Sequence, residues 1–205
     1  MKHWSPSLKA FLGILIIFEV AGWLFVGNTE RLNQLLLING NHSDIADMIF
    51  QGLSAIAEVV LPVFFLLYFF RFRKEYTLPY AYSYALSTGL IQALKHLVFT
   101  DTLRPLAYFA SIGVKWHIVP GLLIGEYNSM PSGHTGAAFF MFFWVAVLLK
   151  RFHWGIVAGI LAVGVAYSRV YLFQHFPVDT LVGAIIGFGS SYLFYVLQYA
   201  KSSSK

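Results

Sequence analysis

Six long apolar runs decide what this chain can fold into: Leu8–Gly27, Ile45–Phe70, Leu78–Val98, His134–Leu149, Gly155–Phe173 and Val178–Ala200. A helix crosses a bilayer core with about 20 apolar residues, so the runs read as membrane spans. They are continuous and far longer than the roughly 10 residues of a barrel strand, which makes them helices. Charged residues supply only 11% of the 205 residues, against about 25% in a soluble domain, too few to hydrate a globule. The expected fold is all-α: an integral membrane bundle of six transmembrane helices, one domain over residues 1–205. Gly155-x-x-x-Gly159 and Gly183-x-x-x-Gly187 would let helices pack closely, though chance often produces that pattern. The first run exceeds the roughly 7–15 apolar residues of a signal peptide and is interrupted by Glu19, so it reads as an uncleaved span.

Lys and Arg near the span ends set the orientation. With the N-terminus inside, the inner side holds Lys2, Lys9, Arg71, Arg73, Lys74, Lys150, Arg151, Lys201 and Lys205, nine of the fourteen cations. Arg31, Lys95, Arg104, Lys115 and Arg169 fall outside. Both termini are therefore expected in the cytoplasm. The net charge of +5 does not imply nucleic acid, because the cations lie in small groups between apolar runs and lack the required clustering. There is no cysteine, which excludes disulfides and thiolate metal sites.

The longest connection runs from Phe99 to Gly133 on the expected outer side, and unstructured loops beyond about 12–15 residues are uncommon unless functional. Polar residues gather around it. Lys95 closes the third run and Arg104 follows in the loop. Pro131-Ser132-Gly133-His134 opens the fourth run, Ser168-Arg169 and His175 end the fifth, and Asp179 opens the sixth. All should reach one membrane depth on one side. Lys95, Arg104 and Arg169 suit a phosphate, since arginine can grip two of its oxygens at once. Ser132-Gly133-His134 starts a helix whose free N–H groups favour an anion, and Gly133 permits close approach. His134 and His175 remain for covalent and proton-transfer steps.

In His175-Phe176-Pro177-Val178-Asp179, Pro177 rules out a continuous helix through His175, because the residue before proline is pushed out of the helical region. Pro177 fits the first position of span six, where a missing N–H costs nothing. Asp179 then lies in the first turn and faces back to His175, the arrangement of an orienting carboxylate and a nucleophilic imidazole.

These residues resemble the three signature motifs of the type-2 phosphatidic acid phosphatase superfamily, which includes the vanadium haloperoxidases. The motifs are Lys95…Arg104-Pro105, Pro131-Ser132-Gly133-His134 and Ser168-Arg169-x5-His175-x3-Asp179. The second and third match fully, and the resemblance covers about residues 45–199. The first departs from the family: eight residues separate Lys95 from Arg104, two more than is usual there. Either a two-residue bulge around Phe99-Thr100-Asp101-Thr102 keeps Lys95 in place, the favoured reading, or this phosphate contact is weakened. The resemblance implies that His175 attacks phosphorus to form a phosphohistidine, oriented by Asp179. It also implies that His134 protonates the departing oxygen and then activates water. Lys95, Arg104, Ser132, Gly133 and Arg169 would hold the phosphate oxygens, with no metal or other cofactor.

The expected function is a lipid phosphatase or pyrophosphatase at the outer, periplasmic face of a bacterial cytoplasmic (inner) membrane. Phosphatidylglycerol phosphate, phosphatidic acid, undecaprenyl pyrophosphate and lipid A phosphates all fit, and selection among them is expected from the Leu106–Met130 loop. A vanadate-dependent oxidoreductase is the alternative from the haloperoxidase branch, whose members are soluble. A non-catalytic transporter or binding protein is countered by the intact His134, His175 and Asp179. The remaining histidines, His3, His42, His96, His117 and His153, read as structural. Glu19 and Glu58 fall near mid-span, where an ionised carboxylate is costly; structural roles are expected for both.

Overall fold

The computed structural model describes residues 4–57 and 60–203, with side chains as far as Gln198. Lys2, His3, Glu58, Lys205 and the side chain of Lys201 lie outside the described residues. Every element within them is helical: α1 (Pro6–Asn28), α2 (Arg31–Asn39), α3 (Asp44–Ile56), α4 (Val60–Phe72), α5 (Lys74–Ala93), α6 (Pro105–Tyr108), α7 (Gly133–Leu148), α8 (Phe152–Tyr171) and α9 (Pro177–Ser203). A π-helical segment, Leu94–Val98, prolongs α5. The starts follow local chemistry. Ser5 accepts from the Leu8 N–H at 3.2 Å and Ser43 from the Ala46 N–H at 3.2 Å, satisfying donors that the first helical turn leaves free. Pro6, Pro105 and Pro177 each stand at the first position of a helix.

Helix α7 is the axis of the bundle. Phe139, Phe140, Phe143 and Trp144 are fully buried on it. They meet Phe11 of α1, Phe69 of α4, Tyr80 of α5 and Tyr195 of α9, in ring pairs 4.7–6.4 Å apart. Large apolar side chains elsewhere face outward, among them Ile17 and Leu24 on α1, Val60 and Leu67 on α4 and Leu197 on α9. Such an outer surface suits lipid and not water.

Both small-residue pairs make close helix contacts. A Cβ on Gly187 would stand 2.1 Å from the Gly136 carbonyl oxygen, and one on Gly183 2.5 Å from that of Ser132, so α9 lies against the backbone of α7. A Cβ on Gly155 would stand 1.9 Å from the Ser7 carbonyl oxygen, and one on Gly159 2.7 Å from Ile14, which locks α8 to α1.

Three helices, α1, α8 and α9, are long and apolar enough to cross a membrane, and α3 with α4 form a fourth candidate as a bent pair. The other two expected spans are helices of different character. Helix α7 is apolar but has only 16 residues, about 24 Å at 1.5 Å per residue. Protein surrounds it, so its length need not match the bilayer. Helix α5 has 20 residues, but its Tyr, Ser and Thr side chains hold down its apolarity.

The glycine contacts yield a paired expectation. Gly187→Ala should destabilise the detergent-solubilised protein by about 1–3 kcal/mol, because backbone atoms must move apart. Gly13→Ala, inside α1 with nothing within 4 Å of the added carbon, should leave stability unchanged or raise it by up to about 1 kcal/mol through helix propensity. Thermal melts of the two variants make the comparison, and equal melting temperatures would refute it.

Candidate active site

A cavity of about 630 Å³ opens at one end of the bundle, and Lys95, Arg104, Gly133, His134, Arg169 and His175 all line it. The structure therefore brings together six of the eight residues singled out from the sequence. The other two stand directly behind. Ser132 is fully buried and caps α7, its hydroxyl accepting from the Thr135 N–H at 3.4 Å and the Thr135 hydroxyl at 3.0 Å. Asp179 is 2% exposed and stands next to His175.

Lys95 reaches the wall from the π-helical segment. Its wider turn is closed by the Phe99 N–H donating to the Leu94 carbonyl at 2.8 Å, and a turn over Phe99–Asp101 follows. The π turn takes up extra chain between Lys95 and Arg104 while both line the cavity. Arg104 then stands just before α6, its N–H donating to the Glu126 carbonyl at 2.8 Å.

The α8–α9 corner is built around His175. Helix α8 ends at Tyr171, so His175 lies in the connecting turn and not, as the apolar run implied, on the helix's last turns. Phe173 ends the helix by adopting φ 60°, a left-handed conformation uncommon for a bulky residue. It is fully buried against Trp116, 4.6 Å between ring centres, and this packing holds it there. Beyond it, the Gln174 and His175 N–H groups both donate to the Arg169 carbonyl, at 3.0 and 3.1 Å. That forked contact fixes the nucleophile candidate against the residue that supplies a cation.

One carboxylate oxygen organises the opposite side of the imidazole. Asp179 Oδ2 accepts from the Ser129 hydroxyl at 2.5 Å and the Phe176 N–H at 2.9 Å, and lies 3.5 Å from His175 Nδ1. The last distance is longer than a formed hydrogen bond, as is common before substrate tightens a site. Burial is the largest influence on His175 and pushes its pKa down to about 4, although Asp179 pulls it up; Arg169 and Arg104 push it further down. At neutral pH the ring is uncharged and retains a lone pair.

Several lining residues escaped the sequence reading: Gln51, Ser54, Gln92 and Gln174. Helical spacing held a clue, since Gln51 and Ser54 share one face of α3, and Gln92 falls three residues before Lys95. Ser54 accepts a hydrogen bond from Arg169 Nη1. Ser129 also went unnoticed, as nothing local marks it as a partner of Asp179.

The connection after α6 contributes Leu122 and Leu123 to the wall and is pinned at His117. Asn39 accepts from the His117 N–H at 3.0 Å and donates to the carbonyls of His117 and Tyr171 at 2.8 and 2.9 Å. His117 Nε2 lies 2.9 Å from both Asp47 oxygens, and His42 stacks on its ring at 3.8 Å. Structural roles for His42 and His117 agree with this packing.

Comparison with known proteins agrees with the geometry. The chain is 29% identical over 201 residues to an undecaprenyl-diphosphatase of Sulfolobus acidocaldarius, covering 93% of this chain and 88% of that one. The crystal structure of Aquifex aeolicus LpxE superposes with a TM-score of 0.69 at 26% identity, covering 83% of this chain and 98% of the other. The first transmembrane PAP2 type phosphatidylglycerolphosphate phosphatase from Bacillus subtilis shares the fold, with a TM-score of 0.66 at 18% identity over 93% and 96% of the two chains. The sequence pattern of the PAP2 superfamily matches residues 76–203, well over half of the chain and the whole of the cavity's cationic and histidine wall. The chain belongs to the PAP2 superfamily.

Proposed function

We propose that this chain is an integral membrane lipid phosphatase or pyrophosphatase that works through a phosphohistidine. The observation that carries the reading is the single cavity shared by three cations and two histidines. His175, uncharged and backed by Asp179, attacks phosphorus. The bond from phosphorus to the lipid oxygen breaks, and His134, entering the step as the imidazolium that the substrate's negative charge favours, gives that oxygen a proton. His134 then takes a proton from water, the resulting hydroxide attacks phosphorus, and the P–N bond breaks to release inorganic phosphate. Lys95, Arg104, Arg169 and the backbone N–H groups at the start of α7 stabilise the charge that builds on the phosphoryl oxygens. Ser132 supports that start as its cap.

The topology proposed with it has six spans, both termini in the cytoplasm, and the cavity at the outer leaflet of a cytoplasmic-type membrane. The distribution of Lys and Arg supports this orientation. A lipid would keep its tails in the bilayer while its phosphate meets the cations. Undecaprenyl diphosphate and lipid A phosphates, phosphatidylglycerol phosphate and phosphatidic acid are the substrates to compare. The apolar spans weigh against a haloperoxidase of the soluble kind.

Purified protein in detergent should release phosphate from at least one of these lipids in the presence of EDTA, and orthovanadate should inhibit it. His175→Ala should lower turnover by about 10³-fold or more; full turnover in that variant would end the nucleophile assignment. Because the chain lacks cysteine, single cysteines can report the topology in intact cells. A membrane-impermeant maleimide should label Leu123→Cys directly and Lys150→Cys only after permeabilisation. Equal labelling of both before permeabilisation would overturn the orientation.

A further inference from the structure

Gln174 joins three parts of the cavity. It directly precedes His175, is 3% exposed, and uses both ends of its amide. Its Oε1 accepts from Arg104 Nη1 at 2.6 Å, and its Nε2 donates to the Leu123 carbonyl at 2.9 Å. The partners fix which end of the amide is which, because a guanidinium only donates and a carbonyl only accepts. Arg104 needs such support, since it stands in a connection and not within a helix. Its Nε donates to the Tyr127 carbonyl at 3.0 Å, and its side chain lies against Gly125, where a Cβ would stand 3.4 Å from Cζ.

Both acceptors on this guanidinium are neutral oxygens. A carboxylate in the same place would hold the arginine but cancel its charge, leaving little attraction for an anion. An amide oxygen fixes the direction of the fork and preserves the charge. We propose that Gln174 is a positioning residue: it aims Arg104 into the cavity and couples that aim to the Leu123 segment of the cavity wall. The inference deepens the phosphatase reading and rests on it for its biological meaning, but its direct consequence is anion affinity.

The test uses the full chain in detergent with orthovanadate as the probe, its affinity read from the rise in melting temperature with concentration. Gln174→Leu keeps the approximate volume and removes both hydrogen bonds. It should weaken orthovanadate about tenfold, as expected for losing a hydrogen bond to a charged group. In hydrolysis, KM should rise more than kcat falls. Gln174→Met, unbranched and close in length to glutamine, also removes both hydrogen bonds. It should weaken orthovanadate by a similar factor, so it carries the test if the leucine variant does not fold. Added to Arg104→Lys, Gln174→Leu should cost less than about a further twofold, because coupled residues are not additive.

Wild-type orthovanadate affinity in the single variants, or fully additive losses in the double variant, would overturn the proposal. Wild-type protein that binds orthovanadate but hydrolyses no lipid phosphate would refute only the activity. Unchanged Gln174 variants of an active enzyme would refute only the positioning role. Wild-type protein that binds no orthovanadate removes both.

Discussion

The site depends on how closely α9 approaches α7. Glycine at 183 and 187 lets the two backbones meet where any side chain would collide with the carbonyls of Ser132 and Gly136. The Ser132 N–H then reaches the Asp179 carbonyl at 2.9 Å. This one backbone bond joins the turn that presents Gly133 and His134 to the turn that presents Asp179. The relative position of the two histidines is therefore set by packing between helix backbones, which yields far less than a loop would.

Much of this was legible in the sequence, for physical reasons that differ by element. Apolar runs located the helices because a membrane leaves the backbone few alternatives. Pro177 placed the start of α9, and with it Asp179, because proline excludes helix from the residue before it. Other features could not be read. The apolar run across Phe173 gave no sign that its backbone turns left-handed there, since buried contacts with Trp116 impose that conformation. Nor did hydropathy distinguish α7, sheathed in protein, from a lipid-facing span. Gln174, Ser54 and Ser129 gain their importance from partners 70, 115 and 50 residues away, and no local pattern carries that information.

The cavity also shows how a membrane protein can gather positive charge. Arg104 leans on an amide and a backbone carbonyl. Neutral acceptors satisfy hydrogen-bonding geometry without supplying a counter-charge. The substrate's own phosphate can then act as the counter-ion, which links binding strength to the charge of the group being transferred.

The connection over the cavity is fastened at three points: His117 to the Asn39 and Asp47 side chains, the Leu123 carbonyl to Gln174, and Glu126–Tyr127 to Arg104. The stretches between these moorings are short closed lobes. Doubling the length of such a lobe costs only about 0.6 kcal/mol in closure entropy. Insertions there could reshape headgroup fit while leaving the reaction machinery in register, so new lipid preferences can arise on an unchanged chemical core.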